Sequence, residues 1–265
     1  MQNFKDKVVW ITGASSGIGE ALALQLAERG ARLILSARRI EELQRVARRC
    51  GLPDLDLLVL PFDLADTRNA SGLAAQVMNK FGKIDILINN GGVSQRSEVL
   101  QTSEETERLL MEVNYFAQIN LTKAVLPYML RQKEGRIIVV SSIAGKLGFF
   151  LRSSYCAAKH ALHGYFESLR LELESRGISV LLVCPGKIRT NVSLNAFAAG
   201  GKKHAEMDPS HIAATTAEEC AKQIIKNIFS AKEEIYIGGK EIIVVYLKRW
   251  FPAIFRKVIR KQPAT

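Results

Sequence analysis

KVVWITGASSGIGE (residues 7–20) runs from a β-branched apolar string into a glycine-rich turn and out again into a helical pattern. Residues 7–12 have the length and composition of a buried strand. Gly13, Gly17 and Gly19 follow in a GxxxGxG spacing. Glycine lets a backbone turn sharply and come close to a ligand. The first turn of the helix beyond holds N–H groups that have no partner within the helix. Together they make a cradle for a pyrophosphate, and the hydroxyls of Ser15 and Ser16 add donors. A glycine-rich turn alone is a weak signal. Set between a strand and a helix, it points to nucleotide binding.

The alternation continues outward. Further strands are expected at 32–37, 55–63, 84–89, 135–142, 178–184 and 234–238. Helices are expected at 17–29, 40–49, about 66–80, 103–131 and 153–175, and from a capping box at Thr216–Glu219 to about 230. Strands that are apolar throughout and alternate with helices imply a parallel sheet covered on both faces. Right-handed crossovers make it doubly wound, most simply in the order 3-2-1-4-5-6-7. The expected fold class is therefore α/β: a doubly wound parallel seven-stranded (Rossmann) sheet in a single domain, residues 1–247, followed by a tail, 248–265. Residues 191–215 lack clear periodicity and hold a Gly-Gly pair, so they form the candidate lid, with Val192, Leu194 and Phe197 as its apolar members.

The bulk numbers narrow the class. A chain of 265 residues with 48% hydrophobic content can bury a sizeable core. It has no 18-residue apolar run that would span a bilayer. The opening residues lack the apolar stretch and cleavage site of a signal peptide, so the chain is expected in the cytoplasm. Cys50, Cys156, Cys184 and Cys220 are scattered and read as free thiols. His160, His163, His204 and His211 show no metal-ligand spacing, and no metal is expected. Sequons at Asn69, Asn120 and Asn191 read as chance matches in a protein that is not secreted. Of the net charge of +11, six positive charges lie in 248–265, which holds no acid. The body shows no basic–aromatic interleaving, so nucleic acid is not an expected partner.

Two local patterns carry chemistry. The second strand ends in Ser36-Ala37-Arg38-Arg39, where an NAD site usually places an acid for the ribose hydroxyls. Arginine suits a 2′-phosphate instead, so NADP(H) is the expected cofactor; as a plain surface pair, the two would simply head the next helix. Tyr155 and Lys159 stand four residues apart, on one helical face. An ammonium beside a phenol favours the phenolate and would lower the tyrosine pKa. Taken alone, such a pair is ordinary helix surface.

TGASSGIG (12–19), NNGG (89–92), Asn114, Ser142, YCAAK (155–159) and PGKIRT (185–190) occur in one chain, with Ser142 thirteen residues before Tyr155. This ordered set resembles the short-chain dehydrogenase/reductase family over about residues 5–238, with Gly91 where the family usually has alanine. SARR, NNGGVSQRS and YCAAKHAL look like its member seven group, whose relatives handle steroid, retinoid and other lipophilic carbonyl compounds. The resemblance implies a hydride transfer between NADP(H) and a lipophilic alcohol or carbonyl compound. Tyr155 would be the general acid/base and Lys159 would tune it and hold the nicotinamide ribose. Ser142 would bind the substrate oxygen, and Asn114 would hold a water of the proton relay. It also implies cofactor contacts at Gly13, Ser15, Ser16, Gly17, Ile18, Gly19, Arg38, Arg39, Asp63, Leu64, Asn90, Gly91, Tyr155, Lys159, Pro185, Gly186, Ile188 and Thr190. A homodimer or homotetramer built on helices 103–131 and 153–175 is implied as well. The contrasting reading is a catalytically idle nucleotide-binding or scaffold protein of the same fold.

The tail has a second pattern. Trp250, Phe251, Ile254, Phe255, Val258 and Ile259 recur at helical spacing, with Arg256, Lys257, Arg260 and Lys261 mainly on the other side. A basic amphipathic helix of this kind suits a membrane surface, giving a peripheral protein. A helix docked on the body or on a second subunit has the same pattern.

Overall fold

The structure, a computed structural model, describes residues 4–190, 192, 196–202 and 214–261. Most of the candidate lid, with Asn191, Leu194, His204 and His211, lies outside the described residues.

The first half alternates as expected: β1 Val8–Thr12, α1 Gly17–Ala27, β2 Arg32–Ser36, α2 Ile40–Cys50, β3 Leu57–Val59, α3 Ala70–Phe81 and β4 Ile86–Asn89. A two-residue bridge, β5 Gln95–Arg96, precedes α4 Glu104–Met111 and α5 Ala117–Gln132. Then come β6 Gly135–Val140, α6 Ser153–Leu173 and β7 Ile178–Pro185. Three short bridges follow, β8 Ile188–Arg189, β9 Phe197–Ala198 and β10 Thr215–Thr216, then α7 Ala217–Asn227 and β11 Glu234–Ile237. The chain closes with α8 Ile243–Trp250 and α9 Pro252–Ile259.

The main strands form one parallel seven-stranded sheet in the order β11-β7-β6-β4-β1-β2-β3, which is the doubly wound order expected. Alternate side chains of each strand feed opposite faces. Val9 and Ile11 join Leu22, Leu43 and Ile224 on the side of α1, α2 and α7. Val8 and Trp10 join Leu73, Leu121 and Phe166 on the side of α3, α5 and α6. The buried Trp10 indole N–H donates to Ser36 Oγ at 2.9 Å, so its polar atom is satisfied inside the core.

Two expectations change. The helix placed at 103–131 is interrupted by a π-turn, Glu112–Phe116, centred on Asn114. The buried Asn114 carboxamide makes two bonds to the backbone of Val93, and one residue of extra winding brings it there. The tail is helical from Ile243, so the boundary placed after residue 247 falls inside α8. Pro252 cannot continue α8, and it opens α9 at a break at Phe251 (φ −134°, ψ 63°). Among the described residues, no helix is long and apolar enough to cross a membrane.

Candidate active site

A cleft of 440 Å³ runs across the carboxyl ends of β1, β4, β6 and β7. Ligands of open α/β sheets bind there because the loops diverge on either side of β1, where the strand order reverses. Gly13, Ser15, Ser16, Gly17, Ile18, Arg38, Arg39, Asp63, Leu64, Asn90, Gly91, Pro185, Gly186, Ile188 and Thr190 all line it, as do Asn114, Ser142, Tyr155 and Lys159. Of the residues expected from the sequence, Gly19 alone stands behind the lining.

The glycine turn is held shut from behind and left open in front. Gly13 has φ +64°, and a Cβ there would stand 2.7 Å from the Gly91 backbone. A Cβ on Gly19 would strike the Gly13 carbonyl at 2.2 Å, so Gly19 serves the close approach of helix and turn. Thr12 and Asn90 lash the ends of β1 and β4 together. Thr12 Oγ1 accepts from the Asn90 and Gly91 amides at 3.0 Å each, and Asn90 Nδ2 donates to the Thr12 carbonyl at 3.0 Å. Glu20, an acid in the first turn of α1, is paired with Arg45 at 2.7 Å and with Arg49. The hydrogen bond from Arg45 holds its carboxyl below the usual range. Arg45 also donates to the Ser15 carbonyl at 3.2 Å, so the same ion pair braces the turn. A side chain at Gly91 would meet the tip of Leu64 at 2.5 Å, a flexible neighbour, which fits either glycine or alanine there.

At the other end of the cleft, Ser142 follows β6 in extended backbone (φ −171°, ψ 163°). Its Oγ accepts from the Ala144 amide at 3.1 Å and donates to the Pro185 carbonyl at 3.3 Å. The Tyr155 side chain lines the cleft with it, and the Ser142 hydroxyl favours the ionised phenol. Tyr155 sits in the first turn of α6, where the Ser154 and Tyr155 amides donate to Gln95 Oε1 at 2.9 Å and 3.2 Å. Gln95 is fully buried, and its Nε2 is held by Thr102 Oγ1 at 3.0 Å. This carboxamide caps α6 from another part of the chain and anchors the turn that carries the phenol.

Lys159 is buried and donates from Nζ to the Val140 carbonyl at 2.9 Å. Burial pushes its ammonium down to about 8. Nζ lies 5.9 Å from the Tyr155 ring centroid. The expected depression of the tyrosine pKa by Lys159 is not what the structure gives. Burial dominates and raises the Tyr155 pKa, with the positive charge of Arg152 and the Ser142 hydroxyl pulling the other way. Lys159 turns its amine towards Val140 instead. Asn114 stands on the same side: a Cβ on Gly92 would lie 2.7 Å from Asn114 Oδ1 and 3.8 Å from Lys159 Nζ.

Folding also gathers groups that no spacing suggests. His163, Cys184 and Glu234 come from α6, β7 and β11 and place ligand atoms within 4.8 Å of one another. Lys146 Nζ already meets Glu234 at 2.7 Å, so an ammonium supplies the positive charge there. Burial opposes ionisation of Glu234, yet the neighbouring His163, the Lys146 ammonium and the Tyr236 hydroxyl together hold it at about 2. The four cysteines are free. Gln95, Phe149, Phe150, Val244 and Ile259 join the site without any motif to announce them.

A phosphate-type turn at β1 and a Ser–Tyr–Lys group at β6 and α6, sharing one cleft on a doubly wound sheet, define a nucleotide-dependent oxidoreductase. The chain belongs to the short chain dehydrogenase family, whose model matches residues 7–200. It is 43% identical over 253 residues to dehydrogenase/reductase SDR family member 7 of Homo sapiens, covering 93% of this chain and 75% of that protein. It is 37% identical over 264 residues to member 7B of Danio rerio, covering 97% and 85%. Among solved structures, a short-chain dehydrogenase from Streptomyces avermitilis superposes with a TM-score of 0.78 at 29% identity, covering 95% of this chain and 98% of that one. A metagenomic short-chain oxidoreductase in complex with NADP gives 0.74 at 27%, covering 89% and 98%.

Proposed function

We propose that this protein transfers hydride between NADP(H) and a lipophilic alcohol or carbonyl compound, with Tyr155 as general acid/base. The observation that carries this reading is the gathering of Ser142, Tyr155 and Lys159 in the cleft that also holds the glycine turn, with Lys159 Nζ 5.9 Å from the Tyr155 ring centroid. Gly13, Ser15, Ser16, Gly17 and Ile18 would hold the pyrophosphate. Asp63 and Leu64 would border the adenine, Asn90 and Gly91 the middle of the dinucleotide. Pro185, Gly186, Ile188 and Thr190 would border the nicotinamide. When bound, the cofactor supplies the hydride. A phenol whose pKa is raised keeps its proton at neutral pH, the form that carbonyl reduction needs. Tyr155 gives that proton to the substrate oxygen, and Ser142 donates to the same atom and stabilises the charge developing there. In oxidation the proton returns to Tyr155. Lys159 and Asn114 stand behind Tyr155, where a proton can be passed on to water.

Arg38 and Arg39 support NADP(H) over NAD(H). Both are exposed in the cleft, and neither has an ion-pair partner among the described residues. A 2′-phosphate gives them one. An apolar substrate is supported by Leu109, Val113, Phe149, Phe150 and Phe197 in the lining. Titration with NADPH and NADH tests the cofactor: the protein is expected to bind NADPH at least about tenfold tighter, and Arg38→Asp to abolish the preference. Equal affinity in the parent refutes it. Self-association, as dimer or tetramer, belongs on the outer faces of α5 and α6, near exposed Phe116 and Leu171; a monomer in light scattering refutes it.

A further inference from the structure

We propose that the helix pair α8–α9 is a docking surface for an anionic lipid bilayer, set at the rim of the cleft. One side of α8 is seated on the body. Val244 is 7% exposed and lines the cleft, and Lys248 Nζ donates to the Lys146 carbonyl at 2.6 Å. Among the described residues the other side is largely uncovered, with Tyr246 touching the body only through the Tyr236 ring at 5.8 Å. Ile243, Tyr246 and Trp250 follow at helical spacing and are 56%, 53% and 70% exposed. Phe251 and Ile254 extend the apolar surface at 58% and 50% exposed. Large apolar side chains gathered in so short a stretch belong against another phase.

Charge selects the occupant. Glu241 is the last acid in the chain, and Lys248, Arg249, Arg256, Lys257, Arg260 and Lys261 all follow it, exposed. Aromatics on one face and cations around them fit the boundary between acyl chains and anionic headgroups. A second copy packed face to face would bring this positive set against itself, and like charges in contact are unfavourable. Nucleic acid would satisfy the cations and leave Trp250, Phe251 and Ile254 in water.

The surface is also wired to the site. Glu241 Oε1, where the pair leaves the body, accepts from the amides of Lys187 at 3.0 Å and Gly239 at 3.1 Å. It thereby ties α8 to the loop after β7 that lines the cleft. Ile259 of α9 reaches the same lining. A docked bilayer therefore lies beside the cleft, where an apolar substrate dissolved in the membrane would enter; that last clause rests on the substrate class proposed above, and the docking does not.

The test uses the full chain and vesicles of phosphatidylcholine, with and without phosphatidylserine. The chain has two tryptophans, and Trp10 is fully buried, so a change in emission reports Trp250. The protein is expected to sediment with the phosphatidylserine vesicles and to shift its emission to the blue, and to do neither with phosphatidylcholine alone. Exchanging Arg256, Lys257, Arg260 and Lys261 together for glutamine should weaken binding about a hundredfold or more. Trp250→Ser with Phe251→Ser should weaken it at least about tenfold. All six side chains are exposed, so the fold should survive both variants. No sedimentation with anionic vesicles overturns the proposal. Full binding by the serine variant also overturns it, because association would then be charge alone. A blue shift that appears without vesicles as the protein dimerises assigns the surface to a second copy and overturns it as well. No substrate is present in any arm, so failure here leaves the proposed reaction standing.

Discussion

Lys159→Met is expected to stabilise this protein at neutral pH while removing its activity. Burial lowers the Lys159 pKa from 10.5 to about 8. Below pH 8 the amine is charged in both states, and the folded state carries the cost of holding that charge in a dry site. About 2.5 pKa units correspond to about 3 kcal/mol. Methionine has similar length and no charge, but it leaves the Val140 carbonyl without the bond from Nζ, a loss of about 1–2 kcal/mol. The net gain is then about 1–2 kcal/mol at pH 7, or a rise of a few degrees in Tm for a chain of this size. The sign changes with pH. Between about 8 and 10.5 the unfolded parent binds a proton that the folded parent has released, so parental stability rises with pH relative to the variant. Near pH 10.5 the burial cost is gone and the parent should be the more stable protein. Urea unfolding of both proteins at pH 7 and near pH 10, without cofactor, measures this. A stability difference that does not depend on pH refutes the reasoning, as would a variant that still turns over.

Gln95→Ala removes the acceptor shared by the Ser154 and Tyr155 amides. It should cost about 1 kcal/mol of stability and lower kcat about tenfold with little change in NADPH affinity, since the turn that moves carries the phenol; unchanged kcat in steady-state assays contradicts this. Glu234→Gln should destabilise the protein at neutral pH. Because the folded pKa lies near 2, the stabilisation by Glu234 is complete above about 4.5 and fades as pH falls through the folded value, so melts of the two proteins should converge towards pH 2. A gap that persists in acid refutes the assigned ionisation.

The sheet was legible because its strands are short, β-branched and apolar on both faces, and because each is followed by an amphipathic stretch. Strand order followed from the crossover rules, and the cleft from the glycine turn and the Ser142–Tyr155–Lys159 spacing. The rest depends on contacts between distant residues. Gln95 caps a helix that starts almost sixty positions later, and no local pattern marks it. The π-turn at Asn114 arises from a bond to Val93, across another element. His163, Cys184 and Glu234 meet only after three elements pack. Helical periodicity described the tail, yet which of its faces met the body depended on Val244 and Lys248. The Tyr155 shift runs opposite to the sequence expectation for a related reason. Spacing placed an amine one turn away, and burial, which spacing does not report, outweighed it.

The assignment of Tyr155 as proton donor is tested most directly by single-turnover oxidation of bound NADPH by an aromatic ketone, compared between the parent and Tyr155→Phe. Loss of general acid catalysis predicts a fall of about a hundredfold to ten-thousandfold in the rate, with NADPH affinity nearly unchanged. A variant that oxidises NADPH at the parental rate would contradict Tyr155 as the proton donor.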